Sequence, residues 1–230
     1  MEIINGLHNL RSRHRGCVLT IGNFDGVHRG HRQLIDELCE KAKALSVPSM
    51  LMTFEPQPRE YFAGTKLPAR LTRFREKVYL LDQTPLDRLL CLPFNDRTAN
   101  IEADWFAKDF VVDQVGAKHL VIGDDFRFGR GREGDFALFE RCGQIHGYSV
   151  SAMSTLLQGE ARISSTLIRE TLAASVAASR ACSSEISQRH APAPVRVLVG
   201  ILRCQMHLDF DFQRSTFSTL PLLGISRKFQ

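Results

Sequence analysis

Between Gly16 and about Tyr148, short apolar runs alternate with longer stretches in which apolar residues recur every three to four positions. The runs Cys17–Ile21, Ser49–Phe54, Arg88–Leu92, His119–Gly123 and Ser149–Met153 are short and apolar and are bounded by turn residues, so each predicts a buried strand. Between them, His31–Leu45, Leu71–Gln83, Asp104–Val115 and Asp135–His146 predict helices. In the first of these, Leu34, Ile35, Leu38 and Ala42 share one face, with Asp36, Glu37, Glu40, Lys41 and Lys43 largely on the other. Strands and helices alternating at this spacing predict an α/β fold, a parallel sheet with helices on both faces.

The first strand and helix are joined by Gly22-Asn23-Phe24-Asp25-Gly26-Val27-His28-Arg29-Gly30-His31. A glycine-rich turn that opens a helix is suited to an anion, because unpaired N–H groups and the helix dipole face the ligand. Two histidines there suggest a phosphate. The same residues also fit an ordinary turn with two solvated histidines. A zinc site would need a nearby cysteine or carboxylate to complete it, and none stands at a suitable spacing. The pattern is neither the Gly-Lys-Ser/Thr phosphate loop nor Gly-x-Gly-x-x-Gly.

Composition narrows the class. A chain of 230 residues, 43% hydrophobic, has material for one large domain or a domain with an appendage. No apolar run approaches the roughly 20 residues of a membrane span, and Met1–Asn5 lacks the pattern of a secretory signal. Six scattered cysteines without a CxxC pair read as reduced thiols, so a cytoplasmic location is expected. The net charge of +5 lies mostly after Ala174, where seven basic residues face three acidic ones. The body is close to neutral, which argues against a nucleic-acid partner.

Three more stretches carry candidate chemistry. Thr53-Phe54-Glu55-Pro56-Gln57-Pro58 ends a strand with two prolines that stiffen the following loop. Leu67–Thr72 follows, with Thr72 placed to cap the next helix. Gly123–Asp135 is too rich in glycine and charge to continue a strand. There Phe126 and Phe128 suit a planar ring, Asp124 or Asp125 a hydroxyl, ring nitrogen or hydrated metal, and Asp135 a helix cap. Ile163-Ser164-Ser165-Thr166-Leu167-Ile168-Arg169 starts a helix on a serine cap and also gathers donors suited to phosphate oxygens.

Together these motifs resemble the HxGH nucleotidylyltransferases, and within them the FMN adenylyltransferase module of bacterial FAD synthetases. The resemblance runs from Gly16 to about Ala173. It implies a Rossmann-like fold and transfer of AMP from ATP to the phosphate of FMN, giving FAD and pyrophosphate. It implies His28 and His31 as catalytic groups. Gly22, Asn23, Phe24, Asp25, Gly30, Ser164, Ser165, Thr166 and Arg169 would contact ATP. Thr53, Phe54, Pro56, Pro58, Asp125 and Phe126 would contact FMN. Mg²⁺ is expected on phosphates and water rather than in a dedicated protein cage. ATP and FMN are then the partners, with neither nucleic acid nor membrane involved. The rival readings are a related adenylyl- or cytidylyltransferase with another phosphorylated acceptor, and a non-catalytic nucleotide- or RNA-binding module.

Two segments are therefore expected: a transferase domain over 1–173 and an atypical basic tail over 174–230. Bacterial FAD synthetases usually continue into a riboflavin kinase barrel, whose Gly-Phe-Pro-Thr-Ala-Asn motif has no counterpart here. The tail reads as a frameshifted or truncated end of a longer gene, poorly ordered, or else as a short accessory segment. Riboflavin kinase activity is expected to be absent.

Overall fold

The computed structural model describes residues 1–63, 69–123, 125–153, 157–158, 161–162 and 164–185. Six parallel strands make the sheet: β1 (Glu2–Asn5), β2 (Val18–Ile21), β3 (Ser49–Phe54), β4 (Arg88–Leu92), β5 (His119–Gly123) and β6 (Ser149–Met153), in the order β1-β4-β3-β2-β5-β6. The four central strands are buried nearly throughout, which is why they read as unbroken apolar runs.

Alternation along each strand divides its side chains between two cores. Leu19, Ile21, Met50, Met52, Leu90, Leu92, Leu120 and Ile122 pack on one face, and Val18, Leu51, Leu89 and Val121 on the other. The second face is covered by helix α1 (Arg29–Ala44), through Ile35, Leu38 and Ala42. After the short helix α2 (Pro58–Ala63), helix α3 (Phe74–Asp82) adds Leu81 to the same core. The one-turn helix α4 (Asp96–Ala99) precedes α5 (Ala103–Trp105), which continues as a π-helix over Phe106–Gln114. The π-helix and α6 (Phe136–His146) cover the first face with Phe106, Phe110 and Phe139.

Strand order reverses direction between β2 and β5. These two strands pair only at Val18↔His119 and Leu19↔Leu120, whereas β2 stays paired with β3 along all four residues. They therefore part toward their C-terminal ends and open a crevice, the place where open α/β sheets hold ligands. A small antiparallel pair, β7 (Leu157–Gln158) and β8 (Ala161–Arg162), precedes helix α7 (Ser165–Glu185).

The sequence expectations for two helices are corrected here. The helix expected from Leu71 starts at Phe74, with Arg73 at its N-cap and Glu76 closing the capping box. Thr72 is not its cap, because its amide and hydroxyl bond back to the loop after β2. The helix expected over Asp104–Val115 is mainly π-helical. The division expected after residue 173 falls within α7. Residues 186–230 lie outside the described residues, as do Asp124, Ile163, Leu67 and Pro68. Among the described residues no helix is long and apolar enough to cross a membrane.

Candidate active site

The turn after β2 is held in an unusual shape. Phe24 (φ 48°), Gly26 (φ 85°) and Val27 (φ 38°) all occupy left-handed backbone. For a β-branched residue such as Val27 this is a strained conformation, kept only where the surroundings enforce it. Several contacts do so. The Gly22 N–H donates to the Met52 carbonyl at 3.0 Å, and the Gly26 N–H to the Thr72 hydroxyl at 3.0 Å. A Cβ on Gly26 would stand 2.9 Å from Leu71 Cδ1, so the turn and the 69–72 segment are close-packed there.

Asp25 is the central fastener of this turn. Its carboxylate is buried and accepts from the backbone N–H groups of Leu71 (3.2 Å) and Thr72 (3.1 Å) and from the guanidinium of Arg169. Burial would raise its pKa, but these donors outweigh burial and hold the carboxyl below its ordinary range. Arg169 also donates from Nε to the Ala69 carbonyl at 2.8 Å, and Ser165 donates from its hydroxyl to the Asp25 carbonyl at 3.0 Å. Ser164 caps α7 by accepting from the Leu167 N–H at 3.2 Å, Ile168 anchors the helix in the core, and Thr166 is exposed. The two phosphate-suited motifs are thereby fastened together.

His28 and His31 stand at the head of α1 with their rings stacked, centroids 3.6 Å apart and planes 17° from parallel. His28 is the N-cap, and its Nδ1 accepts from the His31 N–H at 3.4 Å, which leaves Nε2 as the proton-bearing atom of the neutral ring. Burial pulls His28 down to about 4, with Arg169 acting in the same direction and Asp25 against it. Burial also pushes His31 well below its ordinary value, helped by the charges of His28 and Lys77. Both rings are therefore neutral near pH 7. The Nδ1 atom of His31 is buried without a hydrogen-bond partner among the described residues, an unusual state that a hydrogen-bonding ligand group would relieve. Gly30 lies half-buried in the first turn of α1.

Beside this turn lies a cavity of about 950 Å³, large enough for a bulky planar ligand. Gly22, Asn23, Phe54, Pro58, Asp125 and Phe126 line it. Thr53 is fully buried beneath the turn, where its hydroxyl donates to the Asn23 carbonyl at 3.3 Å. Pro56 is exposed and follows a cis peptide bond from Glu55. Phe126 and Phe128 do not stand apart to sandwich a ring. They stack against each other and on Phe139, Phe128 at 4.0 Å from it, and so form part of the cavity wall. Asp135 caps α6 by accepting from the Leu138 N–H at 2.9 Å. Among the described residues, no three His, Cys, Asp or Glu side chains converge to hold a metal ion.

A family profile described as FAD synthetase matches residues 10–167. This chain belongs to the FAD synthetase family. A bifunctional riboflavin kinase/FMN adenylyltransferase from Escherichia coli (strain K12) is 49% identical over 174 residues, 75% of this chain and 56% of that protein. One of the same description from Pseudomonas fluorescens is 42% identical over 205 residues, 89% of this chain and 63% of that protein. The second alignment necessarily runs past residue 173. The chain spans a little over half the length of these relatives. A crystal structure described as a macrolide-efflux protein from Streptococcus pneumoniae matches with a TM-score of 0.63 at 23% identity, over 74% of this chain and 56% of that one. At that identity the likeness concerns the fold alone.

Two parts of this candidate site carry no motif of their own in the sequence. One is the network in which Arg70 pairs with Glu60 and, at 2.7 Å, with Glu55, tying the loop after β3 to the 69–72 segment. The other is Lys77, which is fully buried. Its signal was present: Lys77 stands four residues before the fully buried Leu81, on the inward face of α3.

Proposed function

We propose that this chain transfers AMP from ATP to the phosphate of FMN, forming FAD and releasing pyrophosphate. An FMN phosphate oxygen attacks the α-phosphorus in line as the bond to the bridging oxygen of pyrophosphate breaks. The substrate supplies the nucleophile, so the protein's task is positioning and stabilisation of the charge that builds on the phosphoryl oxygens. The observation that carries this reading is the stacked, neutral His28–His31 pair at a helix start, fastened through Asp25 to Arg169 and opening beside an aromatic-walled cavity.

In this reading Nε2–H of His28 donates to the α-phosphate or the bridging oxygen, and His31 stands behind it at the same phosphate. Backbone groups of Gly22, Asn23, Phe24 and Gly30 receive the nucleotide, and Ser164, Ser165 and Thr166 lie at the triphosphate end. Asp25 and Arg169 act first on each other, and Arg169 turns to phosphate with its second terminal nitrogen, Nη1, which is buried without a partner among the described residues. Phe54, Pro58, Asp125 and Phe126 line the acceptor cavity, while Thr53 and Pro56 shape its loop. Magnesium, carried on the phosphates of ATP, neutralises part of their charge. Its setting would be cytoplasmic, where buried thiols such as Cys17, Cys39 and Cys91 stay reduced.

The test mixes purified protein with FMN, ATP and Mg²⁺ and follows FAD by chromatography and pyrophosphate by a coupled assay. Stoichiometric FAD and pyrophosphate are expected. Turnover of ATP with another phosphorylated acceptor, and none with FMN, would assign the cavity differently.

A further inference from the structure

Lys77 is among the largest fully buried side chains of the described residues. Lysine is almost never fully buried unless paired, and an unsolvated ammonium is costly. Here Nζ donates to the Asn23 carbonyl at 2.8 Å and to the Thr53 hydroxyl at 3.5 Å. The Thr53 hydroxyl donates in turn to the same Asn23 carbonyl at 3.3 Å, closing a triangle under the turn after β2. Asn23 is the last residue before the backbone becomes left-handed at Phe24.

We propose that Lys77 is a positioning residue for the transfer reaction: its buried ammonium grips the Asn23 carbonyl and so presets the strained turn that carries His28 and His31. The inference rests on the adenylyl-transfer reading. Each of the other fasteners acts elsewhere on the turn, on Gly22, Asp25 or Gly26. Without Lys77 the Asn23 carbonyl keeps only the longer bond from Thr53, and the left-handed step that follows is held from one side.

Charge gives Lys77 a second effect. Burial lowers the pKa of Lys77; of the groups facing it, Glu55, Asp25 and Cys91 favour its cation and Arg70 opposes it. The charges acting on His31 are those of Lys77 and His28. Burial is the main cause that keeps His31 unprotonated, and the Lys77 cation adds to it while offering positive potential to an arriving phosphate. A lysine that merely filled space would do neither.

The test compares the unmodified chain with Lys77→Met, which keeps the length and removes charge and donors, and Lys77→Gln, which restores a donor without charge. In Lys77→Met, kcat for FAD formation is expected to fall at least tenfold with KM for FMN changed less than threefold. The ¹⁵N titration of His31 is expected to move to higher pH, because the cation opposing its protonation is gone. Lys77→Gln is expected to recover part of kcat and none of the titration shift. A kcat within twofold of the unmodified chain, or an unmoved His31 titration, overturns the proposal. Should Lys77→Met fail to fold, the unmodified chain decides the matter. At pH 7 its Lys77 side chain is expected to give an exchange-protected ammonium resonance, and a neutral or freely exchanging amine overturns the proposal. The titration and the ammonium spectrum need no substrate, so an unmodified chain that makes no FAD defeats the transfer reading separately.

Discussion

The carboxylate of Asp25 and the guanidinium of Arg169 form an ion pair across 144 residues of sequence, with side-chain exposures of 2% and 15%. Asp25 also holds the amides of Leu71 and Thr72, so one side chain joins three segments. Asp25→Asn leaves a largely buried guanidinium without its counter-charge. The expected cost is about 3 kcal/mol, near the low end for a broken buried pair because Arg169 keeps some contact with water. In a domain of this size that lowers Tm on the order of 10 °C. Calorimetry on Asp25→Asn, Arg169→Gln and the double variant checks it, and additive losses would show that the two residues do not work as a unit.

Replacing either stacked histidine should cost turnover far more than stability. His28→Ala or His31→Ala is expected to lower kcat for FAD formation on the order of a hundredfold or more, the scale of losing a transition-state donor. The structural loss from His28→Ala is that of one helix cap, about 1 kcal/mol. Steady-state kinetics beside thermal unfolding separates the two effects, and undiminished kcat in either variant removes that ring from the reaction.

His119 should make the fold sensitive to acid. Its ring is 3% exposed, with Nδ1 2.6 Å from the Ser149 hydroxyl and Nε2 3.0 Å from that of Ser151. Burial, reinforced by the charge of Lys41, lowers its pKa from 6.5 to about 4. The unfolded chain therefore takes up a proton below pH 6.5 that the folded chain refuses until about pH 4. The stabilisation is fully present above pH 6.5 and is lost as pH falls through that window, by on the order of 2 kcal/mol. His28 and His31 act in the same direction. Comparing His119→Gln with the unmodified chain isolates the one group: its Tm is expected to fall less between pH 7 and pH 4.5, and parallel pH profiles would refute the assignment.

The cavity should answer to bulk without disturbing the nucleotide. Ala99, on α4, lines it. Ala99→Trp is expected to weaken FMN binding at least tenfold, about 1.4 kcal/mol, with ATP affinity changed less than twofold. Flavin fluorescence and calorimetry measure the two affinities, and equal losses for both ligands would move the FMN site elsewhere.

Strands β3 to β5 coincide with their predicted ranges because parallel strands buried on both faces carry their pattern in their own residues, and edge strand β6 coincides as well although Met153 is its one buried residue. Edge strand β1 carries no such pattern, since Ile4 is its one buried residue. The start of α3 was not legible because Asp25, 46 residues before Leu71, captures the amides of Leu71 and Thr72 and ties that segment to the turn after β2. In the site, the histidines and serines were visible as a motif, whereas the roles of Asp25 and Lys77 depend on neighbours that only the fold supplies. A carboxylate in a glycine turn reads as a ligand contact, and its burial follows from Arg169 and the Leu71 and Thr72 amides.

The fastening of β2's turn by α7 also sets an order of events during synthesis. All six strands are made, and so emerge from the ribosome, before Ser165 and Arg169 do. A nascent chain can thus complete its sheet with Asp25 still lacking its cation. The last fastening of the turn forms only when Ile168 enters the core and carries Arg169 onto Asp25.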